Sequence, residues 1–184
     1  MAIKALDHFS SQSVKDPEMT TEQNLKDAFA GESQANRKYL AFAKKAEEEG
    51  FPQVAKIFRA AADAETVHAH NHLNAMEGVG STKDNLNEAI NGETYEFMEM
   101  YPPMIKEAEE EGNRAAELSF RRANTVEATH AKLYKKALEA VESGDDLESQ
   151  DMYVCQVCGH TVEGNAPDRC PVCGVGKEKF KLIE

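Results

Sequence analysis

Two short patterns in this chain have the residue types of metal chemistry. Glu65-Thr-Val-His68 and Glu127-Ala-Thr-His130 each set a carboxylate and an imidazole three residues apart, a spacing that puts both on one face of a helix. Glu32 and Glu93 each add a carboxylate from a helix of their own. One Glu from each of two helices, with a Glu-x-x-His from each of two others, is the ligand set of ferritin-like dinuclear carboxylate sites. Glu96, three residues after Glu93, offers a carboxylate where the other pair of helices offers histidine. Five carboxylates facing one core would be prohibitive without cations, and two irons would remove that objection. Carboxylate oxygens with one imidazole per ion suit iron or manganese, whereas an all-oxygen site would suit magnesium or calcium. Tyr39 and Tyr101 fall near the ligand faces, either hydrogen-bonding the carboxylates or packing as half-buried core residues. His70 and His72, close to His68, read as surface or packing residues.

A second pattern closes the chain. Cys155-Gln-Val-Cys158-Gly159 and Cys170-Pro-Val-Cys173-Gly174 are two thiolate knuckles, and together they predict one tetrahedral four-sulfur site. The glycine after each pair is free to adopt the positive φ that such a turn needs. About thirty residues cannot bury enough apolar surface to fold alone, so the metal is expected to hold this segment together. Sulfur ligation by itself leaves iron and zinc both open. Its fusion to an iron-type carboxylate site favours a redox-active Fe(Cys)₄ centre, with zinc as a possible substitute.

The elements that must carry these ligands are helical. Residues 1–19 show no clear period and read as an N-terminal arm. A first helix is expected from an N-cap at Thr20 or Thr21 to Glu49, stopped by Gly50. A second begins with Pro52 and runs to about Met76. The Gly78, Gly80 and Ser81 cluster opens a connection with a short helix near residues 85–90. A third helix is expected over residues 92–111 and a fourth over 114–143. The expected layout is therefore mainly α: a ferritin-like four-helix bundle over 20–143, a polar linker over 144–152, and a small metal-bound β/loop domain over 153–184.

The two halves of the bundle repeat each other. A shift of 62 residues lays Ala46-Glu-Glu-Glu-Gly50 on Ala108-Glu-Glu-Glu-Gly112, Phe58-Arg59 on Phe120-Arg121, and Glu65 and His68 on Glu127 and His130. A duplicated helical hairpin explains the match. The register slips once: Glu32 precedes Tyr39 by seven residues, but Glu93 precedes Tyr101 by eight. One extra residue near Glu96 predicts a π-bulge or kink in the third helix, a feature that tends to occur at functional sites.

With these residues in view, the chain over 20–184 closely resembles the rubrerythrin family. The resemblance rests on Gly31-Glu-Ser-Gln-Ala-Asn, Glu65-Thr-Val-His68, Gly92-Glu-Thr-Tyr-Glu96, Met100-Tyr-Pro102, Glu127-Ala-Thr-His130 and the two cysteine knuckles in order. It implies a non-haem di-iron site held by Glu32, Glu65, His68, Glu93, Glu96, Glu127 and His130, and a rubredoxin-like iron on Cys155, Cys158, Cys170 and Cys173. It implies reduction of hydrogen peroxide to water in oxidative-stress defence. Electrons would come from a reduced pyridine nucleotide through separate redox partners. It also implies that one iron moves between Glu96 and His68 as the redox state changes. Homodimers are implied too, with the rubredoxin-like domain of one subunit near the di-iron site of the other. The competing reading is a ferroxidase or iron-handling protein, against which the fused four-cysteine domain argues.

Composition sets outer limits. A formal net charge of -12 opposes a nucleic-acid or anionic-membrane partner. No stretch approaches the roughly 20 apolar residues of a membrane span, and the N-terminus lacks a secretory apolar core. A cytoplasmic protein is the expectation, and cysteines clustered in pairs fit it.

Overall fold

The computed structural model describes residues 20–184, so the arm read over 1–19 lies outside the described residues. The chain divides into two compact units that meet in sequence at Val79 and Gly80. The first is a helical hairpin of α1 (Thr21–Glu48) and α2 (Pro52–Ala75). The second comprises α3 (Thr82–Tyr95), a π-helical turn (Glu96–Met100), α4 (Tyr101–Glu110) and α5 (Arg114–Ser143), then a small sheet. The class is the expected one, long helices followed by a four-cysteine strand-and-loop region.

Capping explains where the first hairpin starts and turns. The Thr20 hydroxyl accepts from the Gln23 amide at 3.2 Å, satisfying one orphan donor of α1. At the far end Gly50 takes φ 83°, and the Phe51 amide reaches back to the Ala46 carbonyl at 2.8 Å. This is the left-handed stop that glycine permits without strain. The second hairpin repeats it at the 62-residue offset: Gly112 takes φ 68° and the Asn113 amide bonds the Ala108 carbonyl at 2.8 Å.

The duplication extends to side chains. Tyr39 packs on Phe58 with ring centroids 6.2 Å apart at 36°, and Tyr101 packs on Phe120 at 6.2 Å and 38°. Arg59 pairs with Glu47 at 2.6 Å, and Arg121 pairs with Glu109. Ala46 and Ala108 are both buried, as are Ala69 and Ala131. Small residues at these points let paired helices approach closely enough to bring their ligand faces together. In the first hairpin the buried Asn36 amide crosses from α1 to α2, donating to the Ala62 carbonyl at 2.7 Å and to Thr66 Oγ1 at 2.8 Å.

The extra residue near Glu96 is absorbed as expected. Residues Glu96–Met100 form a π turn, and the Tyr101 amide bonds the Glu96 carbonyl five residues back. Pro102 and Pro103, which have no N–H to donate, follow directly in the first turn of α4. One boundary differs from the expectation. The predicted short helix near residues 85–90 and the helix predicted to begin at residue 92 are parts of one run that starts at Thr82. Its start is a capping box: the Ser81 hydroxyl accepts from the Asp84 amide while the Asp84 carboxylate accepts from the Ser81 amide. Gly92 lies inside this helix, at a propensity cost of about 1 kcal/mol.

The C-terminal sheet has the order β2-β1-β3, all antiparallel, with β1 Met152–Cys155, β2 Thr161–Glu163 and β3 Phe180–Ile183. Gly159 (φ 81°) and Gly174 (φ 77°) close the two knuckles. Their amides bond the Cys155 and Cys170 carbonyls, both at 2.9 Å. No described helix is long and apolar enough to cross a membrane.

Candidate metal centres

Among the described residues, three groups of side chains converge as metal ligands do. The four cysteines come from the two knuckles, and one potential ligand atom from each lies within 4.8 Å of the others. Cys158 Sγ is 3.5 Å from Cys170 Sγ, and Cys155 Sγ is 3.7 Å from Cys173 Sγ. Four sulfurs about 2.3 Å from a central ion sit about 3.8 Å apart in a tetrahedron, so the cage has the right size for one ion. Its electrostatics ask for a cation. Burial pushes the Cys158 thiol up. Burial also raises Cys170, yet the amides of Cys173 and Val172 and the neighbouring thiols outweigh it and hold that group at about 7. Four thiolates side by side form only around a positive ion.

The other two groups are Glu32, Glu65 and His68 in the first unit, and Glu93, Glu127 and His130 in the second. Each Glu-x-x-His pair has the same geometry: His68 Nδ1 lies 2.8 Å from Glu65 Oε2, and His130 Nδ1 lies 2.8 Å from Glu127 Oε2. The lone glutamates stand slightly further off, Glu32 Oε1 at 3.9 Å from His68 Nδ1 and Glu93 Oε1 at 3.6 Å from His130 Nδ1. Donor atoms about 2.1 Å from a shared ion are spaced about 3 to 3.5 Å apart. Both triads therefore need only small adjustments to close on a metal.

Burial of the second triad has a measurable consequence. Desolvation and the neighbouring Glu127 carboxylate, opposed by His130, raise Glu93 from 4.5 to about 7. Glu127 is raised as well, again by burial first, although its hydrogen bond with Glu93 works the other way. The pair thus shares a proton that a metal ion would displace. Because the folded chain binds more protons than the unfolded chain between about pH 4.5 and 7, Glu93 costs stability as the pH rises through that window. Metal-free Glu93→Gln is accordingly expected to melt above metal-free wild type at about pH 8, and to lose the margin by about pH 5. Thermal melts of the chelated proteins check this.

Glu96 stands outside the triad, at the start of the π turn. It lies close enough for its charge to help raise Glu93, Glu127 and Tyr101. The Tyr101 phenol is pushed up by burial first, then by those three carboxylates, and so keeps its proton. Tyr39 packs against Phe42 and Phe58. Among the described residues, neither tyrosine hydroxyl hydrogen-bonds a carboxylate. One participant was not singled out from the sequence. The Thr161 hydroxyl lies 2.9 Å from His130 Nε2, across 31 residues of chain. Its only sequence signal is its place just after Cys158-Gly159-His160.

Two carboxylate–histidine triads on duplicated helices, with a four-cysteine cage after them, define a non-haem metalloprotein of the di-iron carboxylate class carrying a rubredoxin-like tail. The rubrerythrin family model matches residues 23–138, and the model for the rubredoxin-like domain of rubrerythrin matches residues 153–181. The chain is 35% identical to rubrerythrin-2 of Clostridium acetobutylicum over 173 residues, covering 86% of this chain and 94% of that protein. It is 37% identical to nigerythrin of Nitratidesulfovibrio vulgaris, covering 88% and 85%. It is also 37% identical to rubrerythrin of Porphyromonas gingivalis, covering 89% and 90%. Among solved structures it is similar to the fully reduced, all-ferrous state of nigerythrin, with a TM-score of 0.53 and 31% identity over the whole of both chains. The chain belongs to the rubrerythrin family. Its members are oxidoreductases, and the cofactors are two non-haem irons on carboxylates and histidines and one iron on four cysteines.

Proposed function

We propose that this chain reduces hydrogen peroxide to water, with electrons entering through the four-cysteine iron. The observation that carries this reading is the presence in one chain of two Glu-Glu-His triads and a tetrahedral sulfur cage. A storage site needs no electron-transfer centre attached to it, whereas a peroxidase that turns over must be re-reduced. The donor is a redox protein or reductase linked to reduced pyridine nucleotide. The protein acts in oxidative-stress defence as a homodimer in the cytoplasm, a compartment supported by cysteines clustered for metal and not spread for disulfides. The domains of this reading are the ferritin-like region over 20–143, the linker over 144–152 and the rubredoxin-like domain over 153–184.

Bound iron supplies electrons and Lewis acidity to the O–O bond. The chain's own groups do the rest. Glu32, Glu65, Glu93 and Glu127 would neutralise the ions and hold them in position, and His68 and His130 would add one imidazole donor each. The Tyr101 phenol keeps its proton and can donate a hydrogen bond at Oη. Glu96 and His68 would be alternate ligands to one ion, the part that the likeness to the family implies for them. Glu96, at the start of the π turn, brings a further carboxylate close to Glu93 and Glu127, which supports a ligand role for it. His68→Ala and Glu96→Gln are each expected to slow peroxide turnover by about tenfold or more with an unchanged helical spectrum. Wild-type turnover in both would remove these residues from the mechanism.

A further inference from the structure

We propose that Thr161 is a positioning residue for His130, tying the second Glu-x-x-His pair to the cysteine knuckle of the same chain. The hydroxyl has one proton, and it donates that proton to the Gly159 carbonyl at 3.2 Å. Toward His130, 2.9 Å away, Thr161 can then act only as acceptor, so the hydrogen sits on His130 Nε2. In a neutral ring this leaves Nδ1 bare, with Glu127 Oε2 at 2.8 Å and Glu93 Oε1 at 3.6 Å. That lone pair and the two carboxylates beside it are then the donor set open to a cation. The hydroxyl therefore selects the tautomer and ring orientation that ligate metal.

The contact is one of three that seat residues 159–163, which include β2, along α5. Gly159 packs beside Val126, where an added Cβ would lie 3.8 Å from Val126 Cγ1. Thr161 meets His130, and Glu163 Oε1 meets Lys136 Nζ at 2.7 Å. Alternate residues of the segment thus meet α5 at Val126, His130 and Lys136, the first two one turn apart on one helix face and the third reached by the long Lys136 side chain. Gly159 directly follows Cys158, so the chain of groups runs from a cysteine ligand through Thr161 to an imidazole ligand without leaving the subunit. The histidine of the first unit shows no such support among the described residues. His68 Nδ1 faces Glu65 as His130 faces Glu127, but among the described residues of its own unit nothing hydrogen-bonds its Nε2.

This inference rests on the triads being metal sites and not on the substrate being peroxide, and its test is chosen to keep the two apart. In zinc-loaded, full-length protein labelled at histidine nitrogen, His130 is expected to show a slowly exchanging Nε2–H in wild type and in Thr161→Ser. The near-isosteric Thr161→Val should lose that protection. Fe(II) affinity of the carboxylate site should fall about 10- to 100-fold in Thr161→Val and recover in Thr161→Ser, while the cysteine-iron absorbance stays unchanged and reports a folded tail. A wild-type His130 protonated on Nδ1 alone would overturn the proposal whatever the variants do. So would Thr161→Val with unaltered Nε2–H exchange and Fe(II) affinity. The expected tautomer and affinities in a protein inert to peroxide would uphold this role for Thr161 and overturn the peroxidase reading alone.

Discussion

Glu127→Ala is expected to lose the second hairpin's metal ion and to cut peroxide turnover by more than about 100-fold, with its helices intact. The reason lies in what Glu127 touches. Its Oε2 is 2.8 Å from His130 Nδ1, so one residue supplies a donor and brackets the other. Changes one shell further out typically cost about 10- to 100-fold in metal affinity or activity, and removal of a ligand should exceed that. The variant has a second signature. Without metal, the Glu127 carboxylate burdens Glu93 with like charge at a desolvated site, so deleting Glu127 relieves the metal-free fold. Metal-free Glu127→Ala should melt no lower than metal-free wild type at about pH 8, while added iron should raise its melting temperature far less. Iron that binds only the folded state stabilises it by mass action, so losing the site loses that increment. Metal analysis with paired melts checks both signs. Full iron content in the variant would take Glu127 out of the ligand set.

Cys158→Ser is expected to abolish the ferric–thiolate colour and unfold the tail while sparing the helices. The tail buries little beyond Cys155, Cys170 and Ala166, and its three strands are only three or four residues long. Such a segment depends on its metal for most of its folding energy. Amide exchange should therefore become fast across residues 152–183 and stay slow in α1 and α2. Steady-state peroxide turnover with a physiological-type donor should fall by more than about 100-fold. At saturating iron, which offsets the lost Thr161 contact to His130, a single oxidation of the pre-reduced protein by one portion of peroxide should survive, because the carboxylate ligands remain. That split between repeated and single turnover assigns the cysteine iron to electron supply. Equal loss of both would make the tail a structural support of the site.

Much of this was legible from residues alone, and the reasons are physical. Glu65 with His68 and Glu127 with His130 were readable because i and i+3 share a helix face at any place in a fold. The π turn was readable because a duplicated hairpin serves as its own reference. A lone extra residue between Glu93 and Tyr101 has few ways to fit in a helix, and Glu96–Met100 takes one of them. The start of α3 was misplaced because Gly92 looked like a boundary, while the true signal, Ser81 three residues before Asp84, is a weaker-looking local pair. The choice of imidazole nitrogen and the part of Thr161 were not readable. Both depend on how β2 seats on α5, a contact spanning 31 residues that no local pattern encodes. The surroundings of Tyr39 were hidden for the same reason, since its packing on Phe58 belongs to the helix pair and not to α1 alone.

The central claim is that peroxide oxidises the carboxylate site and that the cysteine iron is connected to it. Protein reduced without oxygen is expected to be colourless at the ferric–thiolate band. Addition of a measured amount of hydrogen peroxide should restore that colour at once, whereas air should restore it only slowly. A protein that stays colourless with peroxide, or that regains colour faster with oxygen, would contradict the account. The second result would favour the iron-handling alternative.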